Sequence, residues 1–453
     1  MTDVSGYPAR VRLNRRPIGV IASAMIARRN LLELIPDLAT RQPMVSGRTG
    51  KRWHMVMDPD ALRRVLKDRV EDYPKSLVTR LLLEPAIGQS LFIAEGAHWR
   101  WQRLAAAPAF AQRHVEALGP VMTAAAEASA RRLAAATDGP VDLFEETVSA
   151  TFEVIADVTL SGGEGFDRDA VHSAIDAYMA GAARMSIMDI LGLPGWIPRP
   201  GRLFSTGGEM RRMKRVADAA IRARARSGPR PVPDLLDLLR AGADPETGRR
   251  MRDGELRDNL LAFIVAGHET TALTLAWALY LLAFDPDVQC RAAAEARAVL
   301  GGGRPATAAD LPQLPYIRQI VDETLRLYPP AAFLSRTALA SDVLGGREVR
   351  PGDTIMLPIY ALHRHHMLWD DPDRFDPGRF APDAPPRDRF AFLPFGAGPR
   401  ICIGASFALQ EAVIVLATLL DRFRFSLSGQ RPDPRLILTL RPHGGVWLRV
   451  AAH

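Results

Sequence analysis

The most apolar stretch of the chain, Leu256 to Phe284, limits the possible folds more than any other feature. As a continuous helix it would run about 45 Å at about 1.5 Å per residue, enough to traverse a whole domain. A membrane span of that kind needs about 18 apolar residues in a row. Here the middle carries Gly267, His268, Glu269, Thr270 and Thr271, and neither flank alone is long enough. The pattern predicts a buried helix with a polar interruption, capped at its start by Asp253.

Such a helix needs a large enclosing core, and the composition supplies one. The chain has 453 residues, 47% hydrophobic and 24% charged, which excludes a disordered or collagen-like chain. At about 150 residues per domain the length suggests about three domains. No flexible linker or internal repeat divides it, however, so residues 1–453 are read as one domain, with 1–40 as an extension packed on it. The net charge of +7 does not mark a nucleic-acid protein: Lys51, Lys67, Lys75 and Lys214 are the only lysines, and the arginines are dispersed rather than gathered in a stripe with aromatics. Two cysteines exclude a disulfide framework. The apolar run from Ile18 to Ala27 passes straight into Arg28 and Arg29 and reads as an amphipathic helix, not an export signal or membrane anchor. The expected location is the cytoplasm.

Around the central stretch the periodicity is mostly helical. From Asp60 to about Gln112 it predicts short helices broken by Pro74, Pro85 and Gly88, then a helix carrying His98, Trp99 and Arg103. Helices follow at 119–136, 142–160 and about 167–189. The Pro/Gly-rich loop 191–201, preceded by Met185, Ile187, Met188 and Ile190, is read as a lid over a greasy pocket. A basic helix at 209–226 precedes the central stretch, and helices at 286–300 and 308–328 follow it. Gly345–Gly346 predicts a tight hairpin from Val343 to Val349, and Thr354 to Tyr360 a strand. A last helix at about 405–423 leads into short strands over 425–450. The fold class is mainly α with small β-sheets.

The residues with the clearest chemical meaning are Phe395–Gly396–Ala397–Gly398–Pro399–Arg400–Ile401–Cys402–Ile403–Gly404. A cysteine between glycines, two residues after an arginine and just before a helix, is placed to be a thiolate, because backbone N–H groups and the helix N-terminus favour negative charge on sulfur. Gly398 and Gly404 are expected to permit the tight turn. Cys290 has no such surroundings and reads as a packing residue.

This loop resembles the haem-binding loop of the cytochrome P450 family, Phe-x-x-Gly-x-Arg-x-Cys-x-Gly, at every specified position. The resemblance implies a P450-like helical domain with haem b between the central helix and the cysteine loop. In it Cys402 would be the axial iron ligand, Arg400 would pair with a propionate and Phe395 would shield the sulfur, with Gly396 and Gly404 beside the cofactor. An axial thiolate pushes electron density onto iron and favours O–O cleavage.

Three further motifs fit the same family in order. Ala266–Gly267–His268–Glu269–Thr270–Thr271 is similar to its oxygen-activating helix motif, where Ala266 lets the helix approach the haem and Glu269 and Thr270 relay protons, through a locally widened turn. Glu323 and Arg326 match its Glu-x-x-Arg pair, completed by Arg379 into a structural triad. Trp99 and Arg103 match its Trp-x-x-x-Arg, one turn apart and able to face the propionates, with Arg336 as another propionate partner. The resemblance extends from about Asp60 onward. Substrate-contact regions map to Val78–Phe92, 180–195, Phe263, Ala331–Leu334 and Leu438–Thr439, mostly apolar, with Phe92, Phe263, Ala266, Ala331 and Leu438 shaping the pocket.

The implied activity is a monooxygenase that inserts one atom of dioxygen into a lipophilic molecule such as a fatty acid or terpenoid. Ala266–Thr271 and the segment from His363 to Gly404 resemble soluble bacterial fatty-acid hydroxylases in particular. No flavin or nicotinamide fingerprint follows Val450, so a separate ferredoxin or flavodoxin with its reductase is expected to deliver electrons to a monomeric enzyme. The Glu269–Thr270 pair argues against two alternatives, a peroxide-using or isomerising haem-thiolate enzyme and a haem sensor without turnover.

Overall fold

In the computed structural model, which describes residues 6–16, 18–136, 139–160 and 207–453, the central stretch is one unbroken α-helix, Asp253–Phe284. The helix at about 167–189 and the loop 191–201 lie outside the described residues. Asp253 is the first helical residue rather than the cap: Glu255 reaches back to accept a hydrogen bond from Arg252 N at 3.0 Å. The expected widening at Thr270 is absent, and the α-helical hydrogen bonding continues through it.

From Thr271 to Ala283 the central helix is buried on all sides, as its all-round apolar composition requires. Helices Leu77–Ile87, Leu143–Leu160, Gly207–Ser227, Pro315–Leu327 and Ala405–Arg422 pack around it. The approach of Leu143–Leu160 explains Gly267, since a Cβ there would stand 3.1 Å from Ile155 Cδ1. Thr147 and Thr151 bond across the same interface to the carbonyls of Ala272 and His268, at 3.0 and 2.8 Å.

The strands are β1 (Met44–Thr49), β2 (Lys51–Val56), β3 (Val141–Asp142), β4 (Leu334–Thr337), β5 (Asp342–Leu344), β6 (Arg347–Val349), β7 (Thr354–Leu357), β8 (Phe423–Leu427), β9 (Asp433–Leu436), β10 (Leu440–His443) and β11 (Trp447–Ala452). The largest sheet has the order β1-β2-β7-β4, with β2 and β7 parallel. The β5–β6 hairpin turns on Gly345 and Gly346, both at positive φ as a two-residue turn demands.

Three boundaries differ from the sequence reading. Pro85 does not break its helix, which continues to Ile87 and ends at Gly88 with φ 52°. Residues 308–328 divide into a 3-10 turn, Ala308–Gln313, and a helix, Pro315–Leu327, because Pro315 lacks the N–H to continue the first and suits the start of the second. The strand from Thr354 stops at Leu357, where Pro358 leads into one helical turn, Ile359–Leu362.

The N-terminal segment packs closely on this core. Ala9 N donates to Tyr280 Oη at 3.0 Å, Ala9 O accepts from Tyr328 Oη at 2.5 Å, and Val11 N donates to Tyr360 Oη at 3.1 Å.

Candidate active site

The cysteine loop gets its shape from two glycines at positive φ, Gly396 (72°) and Gly398 (69°). Gly398 also lies against backbone, since a Cβ there would meet Leu66 O at 2.0 Å. Gly404, expected to share that duty, has φ −92° and caps Ala405–Arg422 instead. Cys402 N donates to Phe395 O at 2.9 Å, closing the loop. The Cys402 side chain is open to an internal cavity while protein surrounds it otherwise. Burial pushes its thiol pKa up, and the Gly404 N–H and the Arg103 charge oppose that rise.

Behind the loop lies a rigid support. Glu323 and Arg326 are fully buried and paired twice, at 2.7 and 2.8 Å. Arg326 donates further to the carbonyls of His363, Pro372 and Arg374, and Arg379 Nε stands 3.6 Å from Glu323 Oε1. These three residues therefore meet as the sequence implied. The surface ion pair that such i, i+3 spacing usually makes is here a buried one, holding segments 363–376. His363 then joins the support to the loop: its Nε2 accepts from Leu393 N at 2.8 Å, and its Nδ1 lies 3.2 Å from Arg326 O. Burial first, and the Arg326 charge second, lower its pKa to about 3, which keeps the imidazole neutral and able to accept.

Two residues given no role in the sequence reading, Lys75 and Glu95, join Arg336 and Arg400 in a charged cluster. Lys75 and Arg336 are brought together by a backbone bridge between their segments. Arg400 donates to Ala94 O at 3.0 Å, pairs with Glu95, and lies 4.5 Å over the Trp99 ring. Glu95 also accepts from Lys75 N at 3.0 Å. Burial and the neighbouring Arg400 and Arg336 lower the Lys75 amine to about 7, and burial with Arg400 lowers Arg336 to about 10. Three basic side chains, Arg336 buried and Lys75 and Arg400 partly so, thus face one carboxylate, and their surplus calls for an anionic ligand. Arg103, half-buried one turn beyond Trp99, lines the same cavity.

The cavity measures about 1320 Å³. Its walls include Phe395, Gly396, Arg400, Cys402 and Gly404 from the loop and Ala266, Gly267, Thr270 and Thr271 from the central helix. Phe92, Phe263, Ala331 and Leu438 line it too, with Phe263 edge-on to Phe110 at 5.1 Å. Thr270 Oγ1 donates to Ala266 O at 2.7 Å. Glu269, adjacent in sequence, is placed differently. It is buried outside the cavity wall, and its Oε1 accepts from Thr439 Oγ1 at 2.8 Å and from Arg441 Nε. Glu411 on Ala405–Arg422 is fully buried against Thr271, and burial raises its carboxyl well above the ordinary range.

A thiol open to an apolar cavity, with surplus cations at its edge, fits haem b: sulfur for the iron, apolar walls for the macrocycle and cations for two propionates. The comparisons with known proteins agree. The family model "Cytochrome P450" matches residues 26–448, well ahead of Asp60. The chain is 34% identical over 429 residues to the cyclooctat-9-en-7-ol 5-monooxygenase of Streptomyces melanosporofaciens, covering 92% of this chain and 89% of that protein. It is 31% identical over 421 residues to human cytochrome P450 4F12, covering 86% and 79%. The crystal structure of the cytochrome P450DA heme domain superposes with a TM-score of 0.80 at 27% identity, covering 91% of this chain and 90% of that one. The chain therefore belongs to the cytochrome P450 family and is a P450 monooxygenase whose cofactor is haem ligated by a cysteine thiolate.

Proposed function

We propose that Cys402 is the thiolate ligand and that the enzyme oxygenates an amphipathic lipophilic molecule, of fatty-acid or terpenoid type, entering through a cationic mouth. The cavity carries this reading. From Cys402 it extends between largely apolar walls to a rim with Arg15, Arg16, Arg48 and Lys51, while Asp37 is its one acidic lining residue among the described residues. An apolar body fits the walls, and an anionic end group fits the rim. The Streptomyces relative is named for oxygenating cyclooctat-9-en-7-ol, which supports a terpenoid-like skeleton as the alternative.

When bound, haem supplies oxygen activation, with one atom going to substrate and the other to water. The chain's own residues bind, orient and handle protons. Lys75, Arg336 and Arg400 hold the propionates, with Trp99 and Arg103 at the same edge. Thr270 gives its own proton to Ala266 O, so its oxygen lone pairs are left to accept from a donor in the cavity. Phe92, Phe263, Ala331 and Leu438 set the shape available to substrate. Electrons come from a separate ferredoxin or flavodoxin with its reductase, and exposed Lys67, whose backbone abuts Gly398, supports an acidic partner on that side.

The reduced, carbon-monoxide-bound protein is expected to show the strongly red-shifted Soret band of thiolate ligation, and Cys402→Ala to lose it. A band of histidine type in the unmodified protein would refute the assignment. For the substrate, dodecanoic acid and its methyl ester are to be compared by the spectral shift that follows loss of iron-bound water. Tighter binding of the acid, weakened by Arg48→Ala, is the expected result; equal binding would remove the role of the rim.

A further inference from the structure

We propose that Glu269 is a positioning residue. Through Thr439 and Arg441 it pins the tip of the β9–β10 hairpin against the central helix, and so sets where Leu438 stands in the substrate cavity. This rests on the P450 reading of the site and changes the role the sequence suggested for this carboxylate.

The hairpin is anchored at three other places, none of them at its tip. Asn30 accepts from Leu436 N at 3.0 Å and donates to Pro434 O at 2.9 Å. Trp277, about two turns along the central helix from Glu269, donates to Leu440 O at 3.1 Å, and Leu440 N donates to Pro330 O at 3.0 Å. The tip, Ile437–Leu438–Thr439, has one long backbone contact of its own, Ile437 N to Thr439 O at 3.5 Å. Among the described residues, the polar side chain that fastens it to the helix is Glu269, which takes the Thr439 hydroxyl at 2.8 Å and the Arg441 guanidinium on the same oxygen. All three tip residues line the cavity, and Leu438 packs on the apolar group containing Leu83, Ile87 and Ile264.

The charge distribution supports a clamp. Glu269 is only 2% exposed, whereas the Arg441 side chain is one-third exposed. The carboxylate is thus held in the interior by a partner that reaches solvent, and an anion so placed depends on that partner. Both contacts fall on Oε1 of Glu269, so the clamp uses one oxygen of the carboxylate, and the adjoining cavity wall is made by Thr270 and Thr271. Without the clamp, Leu438 and its neighbours lose their fixed position, and the room over the haem changes.

Thr439→Val and Arg441→Ala provide the test, since neither removes an acid. The haem-loaded protein is titrated with imidazole and with 4-phenylimidazole, and hydrogen exchange is followed at 436–440. Both variants, and Glu269→Ala, should change 4-phenylimidazole affinity by about tenfold, the scale of one hydrogen bond to a charged group. Imidazole should stay within about twofold and exchange at the tip should rise. Glu269→Gln and Thr439→Ser, which keep an acceptor and a hydroxyl, should restore most of the difference. The clamp is overturned if Glu269→Gln raises peroxide formation while Thr439→Val and Arg441→Ala leave both the azole ratio and the exchange unchanged. Absence of any azole shift in the unmodified protein would instead refute the haem reading, and hydrogen exchange at the tip would still decide the clamp.

Discussion

The two sides of the cavity are built on opposite terms. Behind the cysteine loop, a buried ion pair is tied to the backbone by many polar contacts: Arg326 alone reaches Glu323 and three carbonyls, and His363 carries the connection to Leu393. On the side of the central helix, the walls are mainly apolar and the polar contacts few, with Thr270 and the Glu269 clamp the main ones. The first side holds a ligand of fixed geometry, and any loss leaves a buried charge or donor without a partner. The second must admit a molecule whose shape is decided by a few exchangeable side chains. Damage to the first side should therefore appear as lost stability or haem, and damage to the second as altered products from an intact protein.

Arg326→Ala should give the largest effect. It leaves Glu323 buried without its main partner, at a cost of about 3–5 kcal/mol. Denaturant unfolding and haem content after purification will measure this, and a stable variant would break the contrast. Gly398→Ala comes next. Positive φ and the collision with Leu66 O together should cost about 2–5 kcal/mol. Gly396→Ala, with the same sign of φ and open space around it, should cost only about 1–2 kcal/mol. Equal losses in the two would show that backbone conformation alone matters there.

On the other side, Thr270→Ala should leave stability and haem content unchanged while lowering product formed per electron by about tenfold, close to 1.4 kcal/mol. Peroxide measured alongside product will check it. Lys75, at the border between the two sides, is tested through pH as well as by substitution. Its amine is lowered from 10.5 to about 7 in the haem-free protein, so over that range the unfolded chain binds more protons. Stability of the haem-free form should consequently rise as pH climbs from about 7 to about 10.5. In Lys75→Met that rise should be smaller and haem should bind more weakly. An unchanged pH profile would place the ammonium outside the cluster.

How much of this was legible in the sequence follows the same division. Cys402, Arg400, Glu323, Arg326 and Arg379 could be named because their loop and pair require particular residue types at fixed spacing. Lys75 and Glu95 could not, since Lys75 joins the cluster through its bridge to Arg336 and Glu95 through its pairing with Arg400, 305 residues away in the chain. In sequence, Glu269 takes its meaning from its neighbour Thr270, which is why its actual partners stay hidden there. Adjacent helical residues point about 100° apart, and the pull of Arg441 comes from the far C-terminal hairpin. The β1–β2 hairpin has a local signal too, in Gly50 and the alternation around it.

The tyrosine contacts of the N-terminal segment bear on the order in which the molecule can be completed. Ala9 and Val11 have their partners at Tyr280, Tyr328 and Tyr360, between 271 and 349 residues later in the chain. This segment leaves the ribosome before its partners and stays incompletely paired until Tyr360 has been made. Closure of this seam is then a late event in biogenesis, with one of the longest loops in the protein to close.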